Sequence, residues 1–268
     1  MKSFLVLAAC AAAVAVSVTT GVAASPAAHG PRIKGSTNST SVNWSGYAVT
    51  APTPFTDVKG SWIQPTANCS SAPAAPTPGN GRGKGNGRGH GGGGGGQSSY
   101  ASFWVGLDGY SSSTVEQTGT DADCNGATPV YYGWYEFYPA FPVNFADPVS
   151  PGDSMSAEVS VSGGTVTITL SDTTKHWTEH ASQPSGGYAL SSAEWIAEAP
   201  SSGKVLPLAD FGTVTFTGAS ATGGGRSGSI GAFTYDPITM ATNTGQTKAA
   251  PTGLTAGGSS FSVTWSHS

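Results

Sequence analysis

The chain has 268 residues, only 10 % of them are charged, and its formal net charge is −4. Globular proteins usually carry about a quarter charged residues. This composition provides no basic surface, so we expect no nucleic-acid partner. A surface poor in ionisable groups changes its charge little when carboxylates protonate, which suits an acidic medium.

The N-terminus has the order of a secretory signal peptide. A single lysine precedes an apolar run over 4–18, and the small residues Val22-Ala23-Ala24 follow it. We expect residues 1–24 to be removed by cleavage after Ala24, with cleavage after Ala28 as the second choice, and the protein to be secreted. A membrane anchor is the alternative. The run is short for a membrane span and no later segment is long and apolar enough, so we expect no membrane partner.

The cysteine count changes when the signal peptide is removed. Cys10 is lost with it, and Cys69 and Cys124 remain. An even count in an oxidising compartment favours one disulfide, Cys69–Cys124. Two free, buried cysteines are the alternative.

The remaining chain has the pattern of β-strands. Residues 165–170 alternate threonine with aliphatic residues, 155–161 do the same, and Ser162-Gly163-Gly164 between them is typical of a hairpin turn. Phe261, Val263 and Trp265 repeat the rhythm at the end of the chain. No long stretch shows the 3.6-residue period of a helix, so we predict an all-β fold.

One segment, 70–97, does not fit a core. It is rich in proline and alanine, then in glycine, and ends with six consecutive glycines before Gln97. Such a sequence buries too little apolar surface to offset the entropy of ordering it. We therefore predict a disordered insertion within a single domain spanning 43–268, with a short N-terminal or pro segment at 25–42.

One stretch of the sequence matches a known zinc-binding pattern. His176-Trp177-Thr178-Glu179-His180 matches the H-x-x-E-H pattern of inverted zinc peptidases. That pattern requires a helix, which places residues four apart on one face. Here it follows a threonine-rich strand, so a strand end or loop is expected and a zinc site is not.

Several different short motifs occur along the chain in a specific order. They are Asn43-Trp44-Ser45-Gly46-Tyr47, the stretch Val58–Pro65, Trp104–Gly109, Gln117-Thr118-Gly119, Trp134–Pro139, Ala193–Glu198 and Ala209–Gly212. Together they resemble the glutamic peptidases, or eqolisins, known from fungi and also found in bacteria. The resemblance covers nearly the whole mature chain apart from the glycine-rich insertion.

The resemblance implies a fold and an activity. The fold is an antiparallel, concanavalin-like β-sandwich of two packed, about seven-stranded sheets, with the active site on the concave face of one sheet. The activity is acid endopeptidase action on protein or peptide substrates by a monomer without cofactor or metal. The catalytic pair falls on Gln117 and Glu194. The family's cleft residues map onto four further positions: Trp104, Asp108, Trp134 and Glu136.

Strand alternation is compatible with that cleft. On an extended strand Trp104 and Asp108 share one face, and Trp134 shares a face with Glu136. Polar groups beside aromatic rings suit a cleft that binds an extended peptide. In the implied mechanism the Glu194 carboxylate takes a proton from water, while the Gln117 amide donates to the developing oxyanion.

Two other functions are compatible with a secreted β-sandwich. A carbohydrate-active or carbohydrate-binding module also presents carboxylates and tryptophans on a concave sheet. Glu194 and Glu198 lie on one strand face, as two catalytic acids would, but the E-x-D-x-E strand of such glycosidases is missing. A non-catalytic adhesion domain is the third reading.

Overall fold

The computed structural model describes residues 27–35, 39–71, 97–255 and 257–268. The predicted signal peptide and residues 72–96 of the predicted insertion lie outside the described residues. Among the helices of the described residues, none is long and apolar enough to cross a membrane.

The described chain is built almost entirely of β-strands. The strands are β1 Thr40–Ser41, β2 Trp44–Thr50, β3 Phe55–Ile63, β4 Ser102–Leu107, β5 Val115–Asn125, β6 Thr128–Tyr138, β7 Val143–Asn144, β8 Ser154–Ser162, β9 Thr165–Asp172, β10 Trp177–Pro184, β11 Ser192–Glu198, β12 Thr213–Gly223, β13 Arg226–Ser229, β14 Thr234–Ala241, β15 Thr247–Pro251 and β16 Phe261–Trp265. Two single-turn 3-10 helices, Cys69–Ser71 and Ile230–Ala232, are the helical elements within these described ranges.

The strands form two layers that meet at β14. The first sheet has the order β14-β2-β11-β4-β5-β6-β7, and the second has the order β10-β9-β8-β3-β12-β16-β15. The first part of β14 pairs with β2, whereas Met240 and Ala241 pair with β15, which joins the sheets at one edge. The predicted sandwich with about seven strands in each sheet is confirmed.

Side-chain alternation places the main core between the sheets. On β4, Phe103, Val105 and Leu107 belong to the large apolar cluster that fills this space. Trp104 belongs to a smaller cluster on the opposite face of the first sheet. Hydrogen bonds also cross the core, since Trp195 Nε1 donates to the Lys59 carbonyl oxygen at 2.8 Å. Burial of both faces explains why the central strands β4 and β11 are buried along their whole length.

The predicted hairpin is present. β8 and β9 pair along their length, and the last pair before the turn is Ser162 with Thr165. Gly163 and Gly164 adopt φ values of 56° and 77°. Glycine adopts this left-handed conformation without steric cost, and two such residues make the turn that fits the strand twist.

A disulfide fixes the boundary of the predicted insertion. Cys69 and Cys124 are bonded with a Cα–Cα distance of 5.3 Å, which confirms the predicted pair. Ser99, just beyond the insertion, pairs with Cys124 as well. Both ends of the insertion are therefore held beside the same residue of β5.

Candidate active site

The two predicted catalytic residues lie in one row across the first sheet. Gly106 of β4 is the cross-strand partner of Gln117 on β5 and of Glu194 on β11. The row continues from Gln117 to Glu136 on β6 and from Glu194 to Ala48 on β2. Because neighbouring strands lie about 4.8 Å apart, the Cα atoms of Gln117 and Glu194 are separated by roughly 10 Å.

Gly106 leaves space between the pair. A Cβ atom at this position would lie 3.0 Å from the Gln117 Cβ and 3.1 Å from Trp104 Cζ3. Both distances are shorter than ordinary van der Waals contact between carbon atoms. Glycine at this position therefore lets the Gln117 side chain and the Trp104 ring lie against the strand between Gln117 and Glu194.

Two predicted cleft tryptophans form the floor next to this row. The Trp104 indole donates to Glu198 Oε2 at 2.8 Å, and the Trp134 indole donates to Asp121 Oδ1 at 2.6 Å. Both rings are fully buried. Since the N–H groups of both rings are satisfied by carboxyl groups, each ring is held in one orientation. Glu198 was considered from sequence only as a possible glycosidase acid; here it anchors Trp104.

Glu136 contacts Gln117 directly. Glu136 Oε2 accepts a hydrogen bond from Gln117 Nε2 at 3.2 Å and another from the backbone N–H of His29 at 2.9 Å. Burial raises the pKa of Glu136 to about 8, although these two donors oppose the rise. Glu136 is thus protonated in acid, and its Oε1 has no hydrogen-bond partner among the described residues.

Glu194 is fully buried. Burial raises its pKa well above the usual range, the Ser192 hydroxyl opposes the rise, and the Asp108 and Glu116 carboxylates add to it. A carboxyl group whose neighbours push its pKa upward in a cleft is typical of a functional position. With the chain in this arrangement Glu194 is neutral at acidic pH.

Asp108 differs from its predicted position beside Trp104. Strand β4 ends at Leu107, and Asp108 adopts a φ of 69°, so the alternation stops one residue earlier than the sequence suggested. Its carboxylate accepts hydrogen bonds from the backbone N–H of Leu190 at 2.7 Å and from the N–H and hydroxyl of Ser191, both at 2.8 Å. These contacts hold the segment before β11, so they do not support the expected role of Asp108 as a donor to substrate.

The histidine motif spans the turn before β10 and the start of that strand, in agreement with the strand end or loop expected from the sequence. His176 precedes β10, and Glu179 and His180 are successive residues within it. Successive strand residues point to opposite faces, and residues four apart are separated by about 13 Å. His180 Nδ1 lies 3.0 Å from the Thr169 hydroxyl on β9. This geometry does not bring the three side chains to one metal ion.

The N-terminal segment 27–35 is the part of the site that sequence reasoning missed. It lies against the row, where the carbonyl oxygen of His29 accepts a hydrogen bond from Gln117 Nε2. The His29 ring stacks on Trp134 with 3.7 Å between centroids. A groove of about 570 Å³, lined by Arg32, Ala48 and Asp236 among others, continues along the same face. No periodic pattern marks this segment, whose backbone forms only isolated bridges, Ala28 with Ser201 and Lys34 with Ser41.

Comparison with known proteins identifies the family. The Peptidase A4 family model matches residues 42–265. The chain belongs to the Peptidase A4 family. The match begins after the N-terminal segment and includes both predicted catalytic residues.

Individual Peptidase A4 relatives agree with this assignment. Aspergillopepsin-2 of Aspergillus niger is 36% identical over 202 residues, which cover 72% of this chain and 69% of that protein. The crystal structure of aspergilloglutamic peptidase from Aspergillus niger superposes with a TM-score of 0.56 at 31% identity, covering 63% of this chain and 99% of the other. A Scytalido-glutamic peptidase structure with a peptide-based transition state analog superposes with a TM-score of 0.64 at 24% identity, covering 84% and 98% of the two chains, and supports the fold.

These relatives confirm the resemblance seen in the motifs. As a Peptidase A4 member the chain is a glutamic endopeptidase, and its substrates are proteins or peptides.

Proposed function

We propose that this chain hydrolyses peptide bonds with Glu194 as general base and Gln117 as donor to the oxyanion. The observation that carries the proposal is the contact between Gln117 Nε2 and the His29 carbonyl oxygen. The Gln117 amide thus already binds a peptide carbonyl oxygen. In a bound substrate, the same amide would stabilise the carbonyl oxygen when water adds to the carbonyl carbon. Glu194 lies on the other side of Gly106 in the same row.

The proton path follows from the two groups. The Glu194 carboxylate takes a proton from the attacking water, and the Gln117 Oε1, which has no hydrogen-bond partner among the described residues, is available to orient that water. Protonated Glu194 then passes the proton to the leaving amine. Water that enters the open cleft lowers the pKa of Glu194 from its buried value, which allows the carboxylate to form in acid.

The alternative carbohydrate function has less support. β11 reads Ser-Ala-Glu-Trp-Ile-Ala-Glu, which lacks the E-x-D-x-E order of such glycosidases. Glu198 is moreover bonded to Trp104 Nε1 and Asn43 Nδ2. The family match also favours peptide over carbohydrate.

We further propose that the protein is secreted as a monomer after loss of residues 1–24, and that 43–268 is one catalytic domain. The disulfide supports an oxidising compartment. Intact mass and N-terminal sequence of the secreted protein test the cleavage position.

The direct test compares substrates in acid. The wild type should degrade casein at acidic pH and release no reducing sugar from polysaccharides. Glu194→Gln and Gln117→Ala should each lose casein hydrolysis while keeping the circular dichroism spectrum of the wild type. Casein hydrolysis by either folded variant at the wild-type rate would contradict the assignment of that residue.

A further inference from the structure

A second cavity, with a volume of about 830 Å³, lies apart from the proposed catalytic row. Among the described residues that line it, Lys204 and Lys248 are the charged side chains, and none is an aspartate or a glutamate. The apolar stretch Val205-Leu206-Pro207 forms part of its wall. A concave site with an apolar wall and a few polar groups is typical of a small-molecule site, and here the charged groups are both cations.

Strand β15 fixes the position of Lys248 in this cavity. Ala249, the next residue of the strand, belongs to the main core. Successive strand residues point to opposite faces, so the Lys248 side chain points away from that core. The Lys248 carbonyl oxygen accepts hydrogen bonds from the backbone N–H groups of Ser266 at 2.8 Å and His267 at 3.1 Å, which hold the end of the chain beside it.

Lys248 is a buried cation without a counter-charge from the described residues. The residue is only 6% exposed, and its ammonium group forms no hydrogen bond or ion pair with any described residue. Burial alone lowers its pKa to about 8, because the charged form loses hydration and gains no partner. The group is nevertheless charged in acid. Lysine is almost never this buried unless it is paired, and an anion that accepts its hydrogen bonds would stabilise it.

We propose that this cavity binds an organic carboxylate, with Lys248 as the buried ionic partner and Lys204 at the rim. One buried ammonium matches a single negative charge, and the stretch Val205-Leu206-Pro207 contacts the apolar part of the ligand. Two sources supply this chemistry: the C-terminus of a peptide, which an endopeptidase releases, and a free organic acid. The proposal does not depend on the roles of Gln117 and Glu194, since neither lines the cavity.

The experiment measures binding of small carboxylates to the full chain. The first probe is N-acetyl-leucine at pH 5, where its carboxyl group is ionised and Lys248 is charged. Its primary amide is the matched neutral probe, and hexanoate is a carboxylate without a peptide group. The Kd is measured by calorimetry at constant ionic strength for the wild type and Lys248→Met. Lys59→Met is the control variant, because it removes the same charge from a side chain that is 52% exposed.

Loss of the buried ammonium should weaken binding of the acid. We expect the Kd of N-acetyl-leucine to rise by about tenfold or more in Lys248→Met and to stay unchanged in Lys59→Met. The amide should bind at least tenfold more weakly than the acid to the wild type. Hexanoate binding as tight as that of N-acetyl-leucine would assign the site to organic acids in general, and weaker binding would assign it to peptide C-termini. An equal Kd for the wild type and folded Lys248→Met, or for acid and amide, would overturn the proposal.

A second measurement decides whether the chain itself already supplies the anion. Ser268 lines the same cavity, and its terminal carboxylate is the internal competitor. The pKa of Lys248, followed by NMR of its side-chain nitrogen in the wild type, should lie below the ordinary lysine value of about 10.4 and rise when N-acetyl-leucine is added. A pKa above the ordinary value in the free protein would show that Lys248 is already paired and would overturn the proposal. A pKa that N-acetyl-leucine leaves unchanged would overturn it as well.

Discussion

Gln117 and Glu194 are both cross-strand partners of Gly106, one on each side of β4. The residue between them is the one whose side chain is only a hydrogen atom. This places an amide and a carboxyl group on the two strands that flank Gly106, where neither depends on a loop for its position.

The first prediction concerns the absence of a side chain at Gly106. Gly106→Ala should lower kcat/KM about tenfold to a hundredfold, because a methyl group 3.0 Å from the Gln117 Cβ displaces the amide. Gly253→Ala is the control, since its new Cβ would meet nothing within 4 Å and its φ is not positive. Peptide hydrolysis and thermal unfolding of both variants provide the measurement. A Gly106→Ala enzyme with the kcat/KM of the wild type would contradict this prediction, because it would show that the site accommodates the methyl group.

The buried carboxyl groups predict how stability depends on pH. Burial raises the pKa of Glu116 to about 9, with Asp108 adding to the rise, and raises the pKa of Asp121 to about 7. The unfolded chain releases these protons near pH 4, whereas the native state retains them. Stability is therefore full in acid and is lost as pH rises through 7 toward 9. We expect the melting temperature to be lower at pH 8 than at pH 5 by about 5 °C or more.

The control for that measurement removes one titrating group. In Gln117→Ala, which is expected not to digest itself, the pH dependence should persist. Adding Glu116→Gln should make it less steep, because the amide does not release a proton while Asp121 still titrates. A melting temperature that is higher at pH 8 than at pH 5 would contradict this explanation.

Glu136 provides a prediction for the alkaline side of the activity profile. Neutral Glu136 carries a proton that it can donate, and the carboxylate does not. If activity requires this proton, it is lost as pH rises through the pKa of Glu136, which is about 8 in the buried state. Glu136→Gln should shift this alkaline limb to higher pH. Asp108→Asn should not shift the limb but should destabilise the fold by about 1–3 kcal/mol, because the amide has one acceptor oxygen where the carboxylate uses two for its three donors. An unmoved limb in Glu136→Gln would show that another group sets it.

Sequence reasoning succeeded where strand alternation continues and failed where it stops. Trp104 and Trp134 were expected on the face opposite the core, and both lie in the smaller cluster on that face. The face of Asp108 was predicted wrongly because β4 ends one residue before it, at a positive φ. The Asp108-Gly109 dipeptide is a turn signal that could have indicated this strand end. His29 was missed because its partners Gln117 and Glu136 are 88 and 107 residues away, beyond the range of any local pattern.

The predicted insertion should be dispensable. Its flanks are already held together, since Cys69 is bonded to Cys124 and the Ser99 N–H donates to the Cys124 carbonyl at 3.1 Å. Deleting residues 78–96 should change the melting temperature by less than about 2 °C and leave kcat unchanged. Intact mass confirms the disulfide in the shortened chain. A large drop in melting temperature would show that the glycine-rich stretch packs on the domain.

The most direct test of the account is a double-mutant comparison of the catalytic pair. Glu194→Gln, Gln117→Ala and the combined variant are assayed on one fluorogenic peptide in acid, after circular dichroism shows each to be folded. Each single variant should lose about a hundredfold or more in kcat/KM. The kcat/KM of the double variant should be only slightly lower than that of the less active single variant, because base and oxyanion donor act in the same step. A single variant that keeps more than about a tenth of wild-type kcat/KM would contradict the assignment of its residue.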